Sequence, residues 1–169
     1  MKALAYQSKT LILFLAIGLC TLTSFRSLAQ TNFSGTWTLN QEKSNLGDLP
    51  FRIASDKIVI EQGKNEVKMH RTGQGPNGTN ETDEKFTFDG KESKNPFFGN
   101  NTKTSVATWT DKKILNIKSK ASFTTEDGQP MDIAVDENYS LSDDGKTLTI
   151  AYKSTSGFGD IIQTQVYTK

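Results

Sequence analysis

The feature of this sequence that most limits its possible folds is a period-two alternation that repeats along nearly the whole chain. In residues 131–141, for example, Met131 and Ile133 fall on one face of an extended chain and Asp132 on the other. No segment after Gly47 has helical periodicity, so the chain is predicted to be all-β. About nine strands are expected, at residues 35–39, 57–61, 66–72, 82–88, 104–110, 113–123, 131–141, 146–153 and 160–168.

Turn signals separate these segments. Asp89-Gly90, Asp127-Gly128 and Asp144-Gly145 are hairpin dipeptides, because both residue types tolerate the backbone of tight turns. Sequential hairpins favour an antiparallel up-and-down β-barrel of about 8–10 strands, since closure hides the sheet edges. A Greek-key sandwich is the alternative. The only helical turn predicted lies in residues 40–49, where Asn40 could cap it and the segment could cover an open barrel end.

The N-terminus has the pattern of an export signal. A basic start and a short apolar run at residues 11–22 precede small residues at Ser27 and Ala29. We therefore expect residues 1–29 to be a signal peptide cleaved after Ala29, leaving residues 30–169 as one secreted or periplasmic barrel domain. The apolar run is too short to cross a bilayer comfortably, so no membrane span is expected after cleavage.

The charge and cysteine content narrow the function classes. The chain has 20 Lys and Arg against 19 Asp and Glu, mixed along its length, which disfavours nucleic acid as a partner. Cys20 is the only cysteine and lies in the predicted signal, so the mature chain would hold no disulfide. A lipoprotein signal using Cys20 is an alternative, which Leu19 disfavours because that position should be small; an uncleaved anchor is another.

Three short motifs resemble a known family. "FSGTWTLNQEKSNLG" at residues 33–47 resembles the N-terminus of lipocalin-like proteins, the small calycin barrels secreted by bacteria. "DDGKTLTI" at 143–150 and the terminal "QVYTK" resemble their last two strands, and this end is also similar to intracellular fatty-acid-binding proteins. The resemblance implies a lipocalin-like β-barrel whose partner is a small lipophilic molecule held in the interior. We expect the protein to be a monomer.

The resemblance also implies roles for single residues. Gly35 and Trp37 match the glycine and tryptophan that plug the closed barrel end, and Tyr167 matches the tyrosine of the closing strand. Gln165 stands where fatty-acid-binding proteins have their carboxylate-binding arginine. Because glutamine carries no charge, an uncharged headgroup is expected to bind at least as well as a carboxylate.

The inward faces of the predicted strands combine aromatic and polar side chains, which suits a cavity with an apolar wall and orienting polar groups. The residues predicted to bind the ligand are Trp109, Phe86, Phe88, Tyr139, Tyr152, Arg71, Gln165 and Tyr167. The same mixture suits a fully packed barrel. The alternative function is therefore a structural or macromolecule-binding envelope module that uses exposed aromatics at Phe97, Phe98 and Phe158.

No catalytic, metal or cofactor motif accompanies this pattern. His70 is the only histidine, and metal sites need three or four ligands. The nucleophile motif Gly-x-Ser-x-Gly is also missing from the sequence. The protein is therefore predicted not to be an enzyme. Inward carboxylates at Glu84 and Glu137 could serve acid–base chemistry or pair with Arg71, and they keep a barrel enzyme as the lesser alternative.

Overall fold

The structure is a computed structural model that describes residues 30–49, 52–75, 78–125 and 128–169. The predicted signal peptide and its cleavage site after Ala29 lie outside the described residues. The described chain forms ten strands: β1 (Gly35–Leu39), β2 (Lys57–Gln62), β3 (Glu66–Gly75), β4 (Gly78–Thr87), β5 (Ser93–Pro96), β6 (Thr102–Thr110), β7 (Ile114–Thr124), β8 (Pro130–Leu141), β9 (Thr147–Ser156) and β10 (Gly159–Thr168).

The strands form one antiparallel sheet that curls into a nearly closed barrel. Each strand pairs with its sequence neighbours, and β1 also pairs with β10, where Leu39 lies opposite Tyr167. Strands β4 and β5 lie at the two ends of the sheet and share no backbone ladder. We call this unpaired boundary the seam. The predicted up-and-down barrel of 8–10 strands is confirmed, and the Greek-key alternative is excluded.

Two details differ from the prediction. Strand β5 has no counterpart among the nine predicted segments. The expected helical turn in residues 40–49 is wrong, since the described chain contains no helix there. Asn40 Oδ1 does accept the Lys43 N–H at 3.0 Å, but only a turn forms. The chain then pairs with β10 through Asn45 and Thr164, because β10 extends beyond β1 and offers free backbone groups.

The two barrel ends are different. One end, the plug end, carries the turns 63–65, 111–113 and 142–146. Its centre is Trp37, which is fully buried and donates from Nε1 to the Phe33 carbonyl oxygen at 2.9 Å. Gly35 has φ 149°, a backbone conformation that L side chains rarely adopt. Lys169 Nζ lies 4.8 Å from the centre of the Trp37 ring and covers it from outside.

The other end, the mouth, carries residues 40–49 and 52–56, residues 125 and 128–129, and the connections 97–101 and 157–158. Several apolar side chains that point inward there, including those of Phe123, Met131 and Ile133, are only partly buried, whereas Trp37 at the plug end is fully buried. No helix in the described part of the chain is long and apolar enough to cross a membrane. The fold therefore places Trp37 in a packed apolar layer at one end and partly buried apolar side chains at the other.

Candidate functional site

A cluster of charged side chains lies inside the barrel between the two ends. Alternation along β3 points Val67, Met69 and Arg71 inward, so Arg71 follows two buried apolar residues into the interior. Arg71 Nε donates to Glu84 Oε2 at 2.7 Å, and Nη2 donates to Glu137 Oε1 at 3.0 Å. The register thus joins β3 to both β4 and β8 through one guanidinium.

Lys103 and Tyr139 complete this cluster, which we call the charged centre. Lys103 on β6 lies with its Nζ 2.5 Å from Glu84 Oε1 and so reaches across the seam. The Tyr139 hydroxyl donates to Glu137 Oε1 at 3.1 Å and also contacts Arg71 Nη2. Two cations therefore balance two carboxylates within the charged centre.

Burial and neighbouring charges set the pKa values here. Burial opposes the ionised form of Glu84, but Arg71 and Lys103 outweigh it, and the pKa of Glu84 is lowered. Burial also opposes the charge on Arg71, but the Glu137, Tyr139 and Glu84 side chains raise its pKa. Burial raises the pKa of the Tyr139 hydroxyl well above its usual value. Glu84 and Arg71 are thus held ionised at neutral pH, and Tyr139 is held protonated.

One atom of the charged centre has no hydrogen bond. Glu137 Oε2 is buried and lacks a partner among the described residues, although Oε1 of the same carboxylate has two. Buried polar atoms are nearly always hydrogen-bonded, so such an atom needs an explanation.

A second polar chain runs along β10 toward the mouth. Tyr167 donates to Gln165 Oε1 at 3.2 Å, Gln165 donates to Gln163 Oε1 at 3.0 Å, and Gln163 donates to the Leu46 carbonyl oxygen at 2.6 Å. Burial raises the pKa of Tyr167, which stays protonated. Gln165 and Tyr167, predicted to anchor a headgroup, are therefore already bonded to each other.

Residues 40–49 and 52–56, between β1 and β2, lie at the mouth. Gln163 holds Leu46 at one side, and at the other a side chain added at Gly73 would lie 3.4 Å from Ser55 Cα. In the alternation of β3, Gly73 falls on the same inward-facing side as Met69 and Arg71. The backbone at Ser55 therefore lies against the inner side of that strand. Ala54 is buried in this position.

Apolar residues of four strands face the remaining opening. They follow the inward phase of their strands but are only partly buried, and we call them the mouth wall: Phe123, Met131, Ile133, Tyr152 and Ile161. Phe97 extends the wall, with its ring 6.5 Å from that of Phe123. The opening therefore has an apolar side above the charged centre.

Other parts of the described surface are weaker candidates for a ligand site. Two depressions, of about 830 Å³ and 360 Å³, are lined mainly by outward-facing side chains of β6–β9 and by residues near the β2–β3 turn. His70 lies on the outside, with Nδ1 2.9 Å from Asp83 Oδ1. Within the described ranges, no group of His, Cys, Asp and Glu could hold a metal ion.

The residues predicted to bind a ligand fall into two groups, one in the packed core and one outside it. Phe86, Tyr139 and Tyr167 are fully buried, and Phe88 and Trp109 pack against the same core. The Trp109 ring stacks on that of Phe33 at 5.8 Å, at the plug end. Outside that core, Arg71 and Tyr152 are only partly buried.

Sequence reasoning missed several residues of this region. Lys103 falls on the same inward-facing side of β6 as Ser105 and Ala107. The alternation of this strand could therefore have placed Lys103 in the barrel interior. Met131 and Ile133 share one face in the predicted alternation, but nothing in the alternation indicates that they lie at the mouth.

Comparisons with known proteins bear on the fold. The structure is similar to that of zebrafish ileal bile acid-binding protein complexed with cholic acid, with a TM-score of 0.52 and 17% sequence identity, over 81% of this chain and 98% of that chain. No protein-family model and no curated protein sequence matches the chain. The likeness supports the expected fold, an antiparallel up-and-down β-barrel. The bacterial source and the export of the chain stay predictions.

Proposed function

We propose that the protein binds one small, mainly apolar molecule through the mouth of its barrel and performs no catalysis on it. The observation that carries this proposal is the mouth wall, where Ile133, Tyr152 and Phe123 point inward yet stay partly exposed. Water in contact with such a wall is released when an apolar ligand covers it, which favours binding.

The charged centre supports the same proposal. Moving charged groups out of water costs several kcal/mol per ion, and buried ion pairs often add nothing to stability over apolar side chains. A barrel that only had to fold would therefore gain little from Arg71 and Glu137 in its interior. Placed beneath an apolar wall, they can orient the polar end of a ligand.

The similar zebrafish protein is described as bile acid-binding and was solved with cholic acid. At 17% identity it supports only the statement that a barrel of this shape can hold a small ligand. The ligand class for this chain has to come from its own residues.

The expected affinity is modest. Covering about 200–300 Å² of apolar ligand surface yields about 5–7.5 kcal/mol at roughly 25 cal/mol per Å². The loss of translational and rotational freedom opposes much of this, so a dissociation constant in the micromolar range is the best expected from apolar contact alone.

The site of binding can be tested by titrating isotope-labelled protein with 1-decanol and recording amide NMR shifts. We expect saturable shifts at Phe123, Ile133, Tyr152 and Ile161, with little change around Trp37. Absence of a saturable shift with any lipophile up to its solubility limit would rule out the proposal.

We also propose that the protein acts as a monomer after export, in the periplasm or outside the cell. The small residues at Ser27 and Ala29 support cleavage before Gln30. N-terminal sequencing of secreted material should give Gln30 as the first residue. A lipid-modified start at Cys20, or a retained apolar run, would contradict this.

A second candidate function is binding to a macromolecule. Phe98 and Phe158 are 66% and 86% exposed on connections at the mouth, and exposed aromatics occur at protein interfaces. In the NMR titration, shifts confined to these two residues would favour this function over the interior site.

A further inference from the structure

Glu137 holds the one unsatisfied carboxylate oxygen of the charged centre within the described residues. Its Oε1 accepts from Arg71 Nη2 at 3.0 Å and from the Tyr139 hydroxyl at 3.1 Å, but its Oε2 accepts from no described group. The side chain is 5% exposed. A buried acceptor left without a donor is costly, and a donor placed there would bind with the strength of a hydrogen bond to a charge.

The position of Glu137 connects it to the mouth. Along β8, Ile133 and Val135 follow the same inward phase and lead from the mouth wall to Glu137. Tyr152 lies opposite Glu137 in the β8–β9 ladder and is partly exposed. A molecule lying against the mouth wall would therefore direct its inner end toward Glu137.

Charge balance limits the chemistry of that inner end. Arg71 is bonded to both carboxylates, and Lys103 is bonded to Glu84, so neither cation is left without an anion. A carboxylate ligand would meet the charges of Glu84 and Glu137 without a free cation to offset them. An ammonium ligand would lie beside the positive charge of Arg71 and would be repelled by it. A neutral donor satisfies Oε2 without either repulsion.

We infer that Glu137 selects mainly apolar molecules that carry a neutral hydroxyl at their inner end, with Oε2 accepting the hydroxyl hydrogen. This inference rests on the proposed binding in the mouth. It makes Glu137 a specificity-determining residue, with Arg71 and Tyr139 positioning its carboxylate through Oε1.

The test is calorimetric titration of the native protein with three molecules of similar length: 1-decanol, 1-methoxynonane and decanoate. The ether has the same number of non-hydrogen atoms as the alcohol and accepts hydrogen bonds but donates none. We expect 1-decanol to bind at least about tenfold more tightly than the ether, the effect of one hydrogen bond to a charged group, and decanoate to bind most weakly.

The outcomes separate the two proposals. Binding of all three with equal affinity, or tightest binding of decanoate, overturns the role of Glu137 but leaves the mouth site intact. Binding of none overturns the proposed function, and the role of Glu137 falls with it.

A variant pair assigns the preference to this carboxylate. Glu137→Gln keeps the shape but can place an N–H where Oε2 stands, so the preference for 1-decanol over the ether should fall to within about twofold. Glu66→Gln, at an outward-facing and partly exposed glutamate of β3, should keep the native preference. An undiminished preference in folded Glu137→Gln overturns the inference. If that variant does not fold, the native three-ligand comparison still decides it.

Discussion

Trp37 shows how much of the barrel depends on one side chain. It is fully buried, its indole N–H is bonded to Phe33, and Lys169 covers its outer face. Removing it leaves a cavity at the plug end and an unpaired carbonyl oxygen at Phe33.

We therefore expect Trp37→Ala to lower the free energy of unfolding by about 3–5 kcal/mol, measured by chemical denaturation. The matched control is Phe158→Ala, since Phe158 is 86% exposed and its loss should change stability by less than about 0.5 kcal/mol. A loss below about 1 kcal/mol for Trp37→Ala would show that the plug end does not depend on this residue.

Glu84 links stability to pH. Its pKa is lowered in the folded state, because Arg71 and Lys103 outweigh the effect of burial. A carboxylate with a lowered folded pKa contributes stability that is fully present above its unfolded value and is lost as pH falls through the folded value.

We expect the unfolding free energy of the native protein to decrease as pH falls below about 5, and Glu84→Gln to show a shallower decrease in denaturation series at several pH values. Glu42→Gln is the control, because Glu42 is exposed and makes no ion pair with another described residue, so this change should leave the curve parallel to that of the native protein. Parallel curves for Glu84→Gln and the native protein would contradict the prediction.

At the scale of elements, the seam between β4 and β5 is held by side chains. Asn95 is 3% exposed and its Oδ1 accepts the backbone N–H of Lys85 at 2.7 Å, while Lys103 reaches Glu84 nearby. These contacts replace the ladder that joins every other neighbouring pair of strands.

We predict that Asn95→Ala lowers the free energy of unfolding by about 1–3 kcal/mol, because the N–H of Lys85 loses its acceptor. Hydrogen exchange at the Lys85 amide should become faster while exchange in β8 stays unchanged. Asn101→Ala is the control, since that side chain bonds only the Phe98 carbonyl oxygen in an exposed turn. Equal losses of unfolding free energy in the two variants would mean that the Asn95 contact across the seam stabilises the barrel no more than a hydrogen bond in an exposed turn.

The missed strand and the overpredicted helical turn have one cause. Strand β5 reads Ser-Lys-Asn-Pro, with no apolar residue to mark its buried face, and forms because β6 offers its edge. After Asn40 only a turn forms instead of a helix, because the residues that follow pair with β10 through Asn45 and Thr164. Both elements depend on partners far along the chain, which local periodicity does not report.

At the scale of the whole molecule, alternation predicted the barrel and the inward faces but not the depth of each residue. Phe86 and Tyr152 are both inward, yet one lies in the packed core and the other is accessible. Depth is set by strand register and by which connections meet at each end. The same register brings Arg71 to Glu137, 66 positions later, a pairing that the inward alternation allowed but did not establish.

The difference between the two ends leads to a last prediction. Ile133 and Ala134 are neighbours on β8, with Ile133 facing the mouth opening and Ala134 exposed on the outside. Ile133→Trp places an indole in the space proposed for the ligand, so 1-decanol affinity should fall at least about tenfold while stability changes by about 1 kcal/mol or less. Ala134→Trp adds the same bulk outside and should leave affinity unchanged. Loss of binding in both variants would indicate general distortion of the strand, and loss in neither would place the ligand elsewhere, whereas loss in Ile133→Trp alone requires that the ligand occupy the mouth.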